Sequence, residues 1–402
     1  MALREGFYKT PRRFMRSPRA NFSMPASPYG MMSLTNSTQA ANEPSDSKGI
    51  FTKKFIHLDM DAYFVSVELL DAPHLRSAPV AVGGTAVERG VISTANYLAR
   101  QFGIKSGMAT ATAQRLCPAL VLLPVRFERY EAVTRQLERL FKRYTDRVEF
   151  FSLDEASLEV TGQSYCGGSA TRMASALRAE VHAELGLTAS AGVAPLRYLA
   201  KIASEINKPN GQFVIRPADV PRFLADLDIR KLPGVGPQTW RILERLGCRC
   251  CGDLDQGKIP MLLRHLGLHG YHLWALSQGR EPDTEGAGDT RSVGVERTLP
   301  DDCADGAECA RLLFALLPAL RERVETLADG EQVVRNQVKL KFDDFSVAST
   351  EASAATVDER VLSTLLQRLW QGRRAGRAVR LIGIAVKVRK ADAQASQLAF
   401  EW

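Results

Sequence analysis

The sequence predicts a multidomain α/β (α+β) protein with a mixed sheet, a small all-helical segment and a second α/β module near its end. The chain has 402 residues, 45% of them apolar, which is enough for several hydrophobic cores. Strand-like and helical runs alternate from Phe51, with hairpins as well as crossovers, and this favours a mixed sheet over a doubly wound parallel one. The composition changes at Pro217, and a basic β-α-β-β-α-β-like alternation follows Arg291.

The first half of the ordered sequence contains the mixed sheet and its helices. Apolar alternation indicates strands, whereas apolar spacing of three and four indicates helices. In chain order the predicted elements are a strand from Phe55 to Asp59, a helix over AYFVSVELLDA, strands PVAVGG and RGVISTA, a short helix ANYLARQFG, a helix from Thr110 to Cys117, strand ALVLLP, an amphipathic helix from Phe127 to about Arg143, a strand pair in EFFSLDEASLEV, a helix from Ser169 to Leu185, strand TASAGVA, and a helix from Leu196 to Ile206.

The second half begins with a helical stretch from Pro217 to about Gly279, and the polar segment EPDTEGAGDT predicts a linker. The elements predicted after the linker are strand SVGVERTL, one helix from Cys303 to Leu327, strand QVKLKFDDFSVAST, a helix from Val357 to Trp370, and strand VRLIGIAVKV. The first 50 residues are rich in Ser, Pro, Met and Arg, and we expect a disordered extension there. An organellar transit peptide is the alternative, although a clear amphipathic helix is lacking.

Composition restricts the classes of partner and compartment. The formal net charge is +8, which suits a polyanionic partner, although ordinary solubility charge explains it equally well. Seven cysteines without a regular framework indicate a reducing compartment, and we expect a cytoplasmic location. No apolar run approaches the ~20 residues of a membrane span, so no membrane association is expected.

Acidic residues at two strand ends predict a metal site. Asp59 and Asp61 have period-two spacing and face the same side of a strand, and Asp154 and Glu155 lie at the tight turn of SLDE. Carboxylates brought together in this way suit Mg²⁺, which prefers oxygen ligands and shares them with substrate phosphates. Acids that merely mark solvated turns are the alternative for any one of them. The pattern predicts two-metal phosphoryl transfer.

Basic and aromatic residues supply groups for a triphosphate. Tyr97 and Arg100 are three residues apart on a helix and share a face, and Lys201 and Lys208 lie along and at the end of another helix. Guanidinium and ammonium groups neutralise charge that builds during phosphoryl transfer. Ordinary cations on exposed helix faces are the alternative.

Two further patterns indicate contacts with a nucleic-acid backbone. Gly234 and Gly236 precede a helical run in LPGVG, as in a helix-hairpin-helix element that binds DNA phosphates without reading sequence. The last module alternates apolar and cationic residues, so one sheet face presents charge to a duplex: Lys339, Lys341, Arg377, Arg380, Lys387 and Arg389. Lysines that protect a sheet edge are the alternative.

Zinc is a competing hypothesis for the helical segment. The candidate ligands are Cys248, Cys250, Cys251, His265, His269 and His272. Their spacing does not match the paired C-x₂-C pattern of zinc sites, which argues against the metal.

The motifs from Phe51 to Trp402 resemble the Y-family DNA polymerases, and within them the polymerase IV (DinB) type. The resemblance rests on HLDMDAYFVSVE, GVISTANYLARQFGI, SLDEASLEV, NKPNG, KLPGVG and RSVGVERTL, in that order. It implies a right-hand polymerase with these parts: a disordered extension 1–50, a mixed-sheet palm 51–62 and 128–216, small fingers 63–127, a helical thumb with the helix-hairpin-helix 217–280, a linker 281–290, an α/β little finger 291–391, and a clamp-binding tail 392–402.

The resemblance also implies roles for matching residues. Asp59, Asp154 and Glu155 would bind two Mg²⁺ ions with help from the Met60 carbonyl, while the part played by Asp61 stays open. Tyr97, Arg100 and Lys208 would hold the β- and γ-phosphates of the nucleotide. Phe64 would act as a steric gate against the 2′-hydroxyl of ribonucleotides, with plain packing as the alternative.

The function implied is template-directed, error-prone translesion DNA synthesis without proofreading, in DNA repair and damage tolerance. Its partners would be primer-template DNA, deoxynucleoside triphosphates and a sliding clamp, with Gln397, Leu398 and Phe400 as clamp anchors. We expect a monomer in the bacterial cytoplasm, associated with the nucleoid. Two rivals are a catalytically dead DNA-binding relative, which the intact acids argue against, and a nucleotidyl cyclase, which would not need a thumb or a basic module.

Overall fold

A computed structural model describes residues 51–281, 290–327 and 330–390. The predicted extension and the clamp-binding tail lie outside the described residues. The strands, numbered in chain order, are β1 (Phe55–Met60), β2 (Val80–Gly83), β3 (Ile92–Ala95), β4 (Val121–Leu123), β5 (Val148–Phe150), β6 (Glu155–Glu159), β7 (Ala189–Ala194), β8 (Gln212–Val214), β9 (Thr290–Cys303), β10 (Glu331–Phe342), β11 (Val347–Ser353) and β12 (Val379–Lys390).

Helices connect these strands and fill the segment between β8 and β9. They are α1 (Tyr63–Asp71), α2 (Tyr97–Arg100), α3 (Thr110–Leu116), α4 (Phe127–Phe141), α5 (Ala170–Leu185), α6 (Arg197–Ser204), α7 (Val220–Asp226), α8 (Pro237–Arg245), α9 (Ile259–Leu266), α10 (Leu268–Ser277), α11 (Gly306–Phe314), α12 (Leu317–Glu325) and α13 (Glu359–Gly372). None of the helices among the described residues has the length and apolar character needed to span a bilayer.

The first sheet is mixed, as predicted, and has the strand order β5-β6-β1-β7-β8. The central strand β1 is antiparallel to both of its neighbours, and β8 runs parallel to β7. Every residue of β7 is buried, and β1 is buried except at Asp59. The hydrophobic core lies between this sheet and helices α4 and α5, which contribute Leu137, Leu140 and Leu177 to it. These helices cover one face of the sheet. The acidic residues Asp59 and Glu155 lie at the ends of the strands.

Helix α6 packs unusually close to the sheet because β7 carries glycine at position 192. A Cβ atom there would lie 1.9 Å from the carbonyl oxygen of Ala200 and 2.4 Å from the backbone nitrogen of Ser204. Any side chain would therefore force the helix away from the strand. This close approach fixes the distance between α6 and the sheet. It also fixes the position of the turn that follows α6. The helix and the turn each carry a lysine.

The second sheet has three strands in the order β3-β2-β4 and supports the short helix α2. The side chain of Asn96 holds the helix in place, because its Oδ1 accepts hydrogen bonds from the backbone nitrogens of Ala99 at 2.9 Å and Val80 at 3.1 Å. Its Nδ2 donates to the Ala78 carbonyl at 2.9 Å. One buried amide thus caps the helix and ties it to β2, as an N-cap asparagine does.

The helical segment from α7 to α10 shares a core with α6 and with the ends of β1 and β7, and Leu243, Leu262 and Leu273 are fully buried in it. Gly234 has φ +88°, a conformation that favours glycine, and Gly236 is the N-cap of α8. The turn predicted from LPGVG therefore leads directly into a helix N-terminus.

The C-terminal sheet has the order β11-β10-β12-β9, and all its pairs are antiparallel. Alternate residues of β10, among them Val338, Leu340 and Phe342, are buried and belong to a core shared with α11, α12 and α13. The predicted β-α-β-β-α-β order is therefore confirmed.

Two elements predicted for this module are wrong in detail. The single helix expected from Cys303 to Leu327 is two helices, α11 and α12, because Pro318 lies in the first turn of α12 and has no N–H with which to continue α11. The single strand expected over QVKLKFDDFSVAST is the hairpin of β10 and β11. The turn of this hairpin contains Phe345, which has φ +64°. A hydrogen bond from the Phe342 backbone nitrogen to the Ser346 carbonyl oxygen at 2.9 Å closes the turn.

Candidate active site

The acidic residues meet at the ends of β1 and β6. Asp59 pairs directly with Glu155 across the two strands, and the Met60 nitrogen donates to the Asp154 carbonyl at 2.9 Å. The turn before β6 is anchored to α4, since the Thr134 hydroxyl donates to the Leu153 carbonyl at 2.7 Å. Adjacent residues of an ideal strand face opposite ways. The tight turn predicted between two short strands therefore places Asp154 and Glu155 differently: Asp154 lines a cleft with Asp59, and Glu155 lies across the strands from Asp59 beside His57.

A cleft of about 380 Å³ opens beside these acids. It collects residues that are distant in the chain, and seven of them were predicted to be functional. Its lining is Asp59, Met60, Ala62, Tyr63, Phe64, Ser93, Thr94, Tyr97, Arg100, Ser106, Asp154 and Lys208. Ser93, Thr94 and Ser106 were not predicted to be functional, because serine and threonine on a short strand and in a loop are common and carry no distinctive spacing.

Lys208 lies between two carboxylates. Its Nζ is 2.8 Å from Asp59 Oδ1 and 2.5 Å from Glu205 Oε1. Burial raises the pKa of Asp59 to about 7, although Lys208 opposes the shift, and the neighbouring Glu205 adds to it. One ammonium group cannot fully neutralise two carboxylates in a half-buried site, which is why the pKa of Asp59 stays high.

Glu155 has a contrasting environment. Its two carboxylate oxygens accept from Lys201 Nζ at 2.7 and 2.9 Å, and its Oε2 lies 3.5 Å from His57 Nε2. Contact with the His57 imidazole and with the Lys201 ammonium lowers the pKa of Glu155 to about 2, against the effect of its burial. Glu155 is therefore charged at neutral pH.

Asp61 is saturated by donors from the protein. Its side chain accepts from the Ser190 hydroxyl at 2.8 Å, from the Asn210 backbone nitrogen at 2.7 Å and from the Tyr97 hydroxyl at 3.4 Å. The residue is only 2% exposed. It links β1 to β7 and to the NKPNG turn, a structural role different from that of Asp59.

Phe64 forms one wall of the cleft within a cluster of aromatic rings. Its ring stacks on Tyr130 with centroids 4.3 Å apart and planes 10° apart, and it meets Phe127 edge to face at 5.9 Å. The Tyr130 hydroxyl donates to Glu68 Oε1 at 2.7 Å. The packing role and the position on the cleft therefore coexist, because stacking holds the ring where it lines the cleft.

Tyr97 and Arg100 face the cleft from α2, opposite the acids. The Arg100 guanidinium carbon lies 4.6 Å from the centroid of the Tyr97 ring, and Arg100 Nε donates to the Ala95 carbonyl at 2.9 Å. These contacts orient the guanidinium. Tyr97, Arg100 and Lys208 line the same cleft as Asp59.

The other predicted residues lie outside the cleft. Gly234 and Gly236 are at the start of α8, where His269 contacts the Gly234 carbonyl at 3.1 Å. Gln397, Leu398 and Phe400 lie outside the described residues. Within the part of the chain that the structure describes, the one group of His, Cys, Asp and Glu suited to a metal is His57, Asp59 and Glu155, so the zinc hypothesis for the helical segment has no support there.

The predicted cations of the C-terminal sheet have different partners. Three of them pair with acids: Lys339 with Glu296 at 2.7 Å, Lys387 with Glu351 at 2.7 Å, and Arg377 with Asp344 at 3.2 Å. Lys341 and Arg380 instead lie over the exposed ring of Phe345, at 4.9 and 4.7 Å from its centroid. Arg389 is exposed near the end of β12.

The donor set suits a hard divalent metal ion. Asp59 and Glu155 offer carboxylate oxygens within 4.8 Å of each other at adjacent strand ends, Asp154 lines the cleft beside Asp59, and Lys208 and Lys201 compensate part of the charge of Asp59 and Glu155. Oxygen ligands of this kind fit Mg²⁺ or Mn²⁺ better than a thiophilic metal.

Comparison with known proteins agrees with this geometry. The impB/mucB/samB family matches residues 58–205, its C-terminal domain matches residues 290–400, and the IMS family HHH motif matches residues 217–247. Proteins named DNA polymerase IV from Citrobacter koseri and Escherichia coli K12 are each 47% identical over 335 residues, covering 83% of this chain and 95% of theirs.

Solved structures show the same relationship. A Y-family DNA polymerase chimera, Dbh-Dpo4(243-245)-Dbh, superposes with a TM-score of 0.73 at 29% identity, covering 83% of this chain and 98% of its own. An insertion ternary complex of Dbh DNA polymerase superposes with a TM-score of 0.57 at 28% identity, covering 84% and 99%.

The fold and the site define a DNA-directed DNA polymerase, and the chain belongs to the impB/mucB/samB family of Y-family DNA polymerases. Its relatives are of the polymerase IV (DinB) type, and its function is translesion synthesis in DNA damage tolerance. The right-hand architecture implied by the sequence is confirmed. Y-family polymerases are metal-dependent, and the acidic group at the β1 and β6 ends fits that requirement.

The raised pKa of Asp59 predicts that protons compete with metal below neutral pH. A carboxylate must lose its proton before it can bind metal, so Mn²⁺ affinity should fall by about tenfold per pH unit below pH 7 and level off above it. Titration of the full chain with Mn²⁺, followed by electron paramagnetic resonance between pH 5.5 and 8.5, measures this. Asp59→Asn should weaken binding and flatten the profile, whereas an equally flat wild-type profile would contradict the prediction.

Proposed function

We propose that the enzyme adds deoxynucleotides to a primer 3′ end with two Mg²⁺ ions held by Asp59, Asp154, Glu155 and the Met60 carbonyl. The observation that carries this is a cleft lined by Asp59 and Asp154 together with an aromatic wall and cations, with Glu155 directly across the strands from Asp59. When bound, the ions would lower the pKa of the primer hydroxyl and neutralise the triphosphate and leaving pyrophosphate. The chain itself positions the reactants and excludes the wrong sugar.

Tyr97, Arg100 and Lys208 hold the β- and γ-phosphates in this proposal. Arg100 is oriented by Ala95 and by the Tyr97 ring, so little side-chain freedom is lost on binding. Lys208 is already desolvated between Asp59 and Glu205, whose charges raise its pKa and keep it cationic. A phosphate would replace Asp59 as a partner of Lys208, and a metal ion would replace Lys208 as the partner of Asp59.

DNA is bound by two regions on either side of the linker. Gly236 has open space where a Cβ would stand, and it precedes α8, so backbone N–H groups are accessible to a phosphate. The charged face of the C-terminal sheet contacts the duplex through Lys339, Lys341, Arg377, Arg380, Lys387 and Arg389. We infer that the palm comprises 51–62 and 128–216, the fingers 63–127, the thumb 217–280, the linker 281–290 and the little finger 291–391, in a monomer.

Replacing one metal ligand should abolish polymerisation. We expect Asp154→Ala to slow primer extension by at least about 1,000-fold, because metal stabilisation supplies several kcal/mol and each 1.36 kcal/mol is about tenfold in rate. Asp146→Asn, at an exposed position away from the cleft, is the matched control. Extension by Asp154→Ala within about tenfold of wild type, in an assay where the wild type is active, would refute the assigned ligand set. An inactive wild type would refute the polymerase function itself.

Shortening Phe64 should admit ribonucleotides. We expect Phe64→Ala to reduce the preference for deoxynucleotides, measured as the ratio of kcat/KM values, by at least about tenfold, since a clash worth 1.36 kcal/mol suffices for that change. The control is Phe102→Ala, which removes a ring that is 50% exposed and does not line the cleft. If Phe64→Ala keeps the wild-type ratio of kcat/KM values, as the control should, Phe64 serves packing alone.

Lys341 and Arg380 should contribute to the salt dependence of DNA binding. Each phosphate contact that is lost should reduce the slope of log affinity against log salt by ~0.9, so Lys341→Met with Arg380→Met should reduce it by roughly 2. Fluorescence anisotropy with a labelled primer-template at several salt concentrations measures the slope. Lys142→Met, in an exposed pair on α4, provides the baseline. A double variant with the same slope as this baseline would exclude the two contacts.

The C-terminal tail is proposed to dock on a sliding clamp through Gln397, Leu398 and Phe400. An extended segment with apolar anchors fits a hydrophobic pocket on a partner. Removing residues 397–402 should abolish capture on an immobilised clamp and leave primer extension without clamp unchanged. Undiminished capture would eliminate this contact.

A further inference from the structure

His57 is a buried polar residue that the catalytic scheme does not use. It lies in β1 with 0% of its surface exposed. Within the described structure, neither of its ring nitrogens has a hydrogen-bond partner at ordinary distance. A buried polar group without such a bond destabilises a fold, and an apolar ring of the same shape would avoid that cost.

The imidazole is aimed at the metal site. His57 and Asp59 are two residues apart on one strand and share its face, and a ring nitrogen of His57 lies within 4.8 Å of carboxylate oxygens of both Asp59 and Glu155. The shortest of these approaches is 3.5 Å, between His57 Nε2 and Glu155 Oε2. The ring also stacks on Phe151, with centroids 6.0 Å apart and planes 21° apart. Its plane is therefore fixed with one edge towards Glu155.

The chemistry of the two neighbouring groups decides which of them donates. A neutral imidazole has one N–H donor and one acceptor nitrogen. A carboxylate can only accept, so the nitrogen that faces Glu155 must carry the proton if the two are to interact favourably.

Glu155 is held from its other side by Lys201, whose Nζ contacts both oxygens and is about half exposed. A metal ion that binds the same oxygens competes with this ammonium. His57 approaches from the buried side and does not compete, so it can act on the carboxylate in both the metal-free and the metal-bound protein.

We propose that His57 is a positioning residue that donates from Nε2–H to Glu155 and fixes this carboxylate for metal binding. The inference rests on the proposed role of Glu155 as a metal ligand. Groups that orient a metal ligand in this way typically change metal affinity by about 10–100-fold when they are removed.

The first experiment compares donor and packing roles. Mn²⁺ affinity is measured by electron paramagnetic resonance on the full chain with primer-template and a non-hydrolysable deoxynucleotide. We expect His57→Phe, which keeps a flat ring against Phe151 but cannot donate, to bind Mn²⁺ about 10–100-fold more weakly. His57→Gln returns an N–H at the position of Nε2 and should recover most of that loss.

The control arms separate this inference from the proposed function. A thermal unfolding midpoint for His57→Phe at or above that of the wild type shows that lost affinity does not reflect lost folding. Equal Mn²⁺ affinity of His57→Phe and wild type would overturn the positioning role. Wild-type protein that binds Mn²⁺ no better than Asp154→Ala would overturn the metal site on which both proposals depend.

A second experiment needs no variant. The chain has six histidines, so nitrogen-15 labelling of histidine gives a spectrum simple enough to assign. We expect His57 to be protonated at Nε2 and its N–H resonance to move when Mg²⁺ is added with nucleotide and DNA. A proton on Nδ1 instead, or direct nitrogen coupling to bound Mn²⁺, would overturn the inference.

Discussion

The site depends on balancing negative charge that the sheet brings to one place. Three carboxylates stand at the ends of paired strands, where burial limits the solvation of Asp59 in particular. Lys201 and Lys208 offset part of this charge. The close packing of α6 on Gly192 holds both lysines at their distance from the sheet. A glycine in a buried strand is thus a condition for the electrostatics of the active site, because a larger residue would move both lysines.

Two aspartates of one motif have separate functions. Asp59 keeps an oxygen directed to the cleft, whereas Asp61 uses its oxygens to bind Ser190 and the backbone of Asn210. The second aspartate thereby orders the turn that carries Lys208. The positions of Asp59 and Lys208 are connected through this shared strand, so loss of Asp61 would disturb the lysine without removing the Asp59 carboxylate.

Much of this arrangement could be predicted from sequence. The strand that delivers Asp59, the turn at Asp154 and the helix-cap glycine Gly236 are local patterns, and their order identified the family. The break at Pro318 was not predicted, because the apolar spacing on either side of it is typical of one continuous helix. The contacts of His57 and the position of Ser106 on the cleft could not be predicted, because they depend on which distant segments meet, and neither residue belongs to a distinctive local pattern.

The stacked pair of Phe64 and Tyr130 has a consequence for the evolution of the enzyme. The Tyr130 hydroxyl donates to Glu68, which in turn pairs with Arg126 at 2.5 Å, so the Phe64 ring belongs to the packing between α1 and α4. A substitution that moves this ring would therefore also disturb the contact between the two helices. The shape of the cleft on this side is inherited with the stability of the domain.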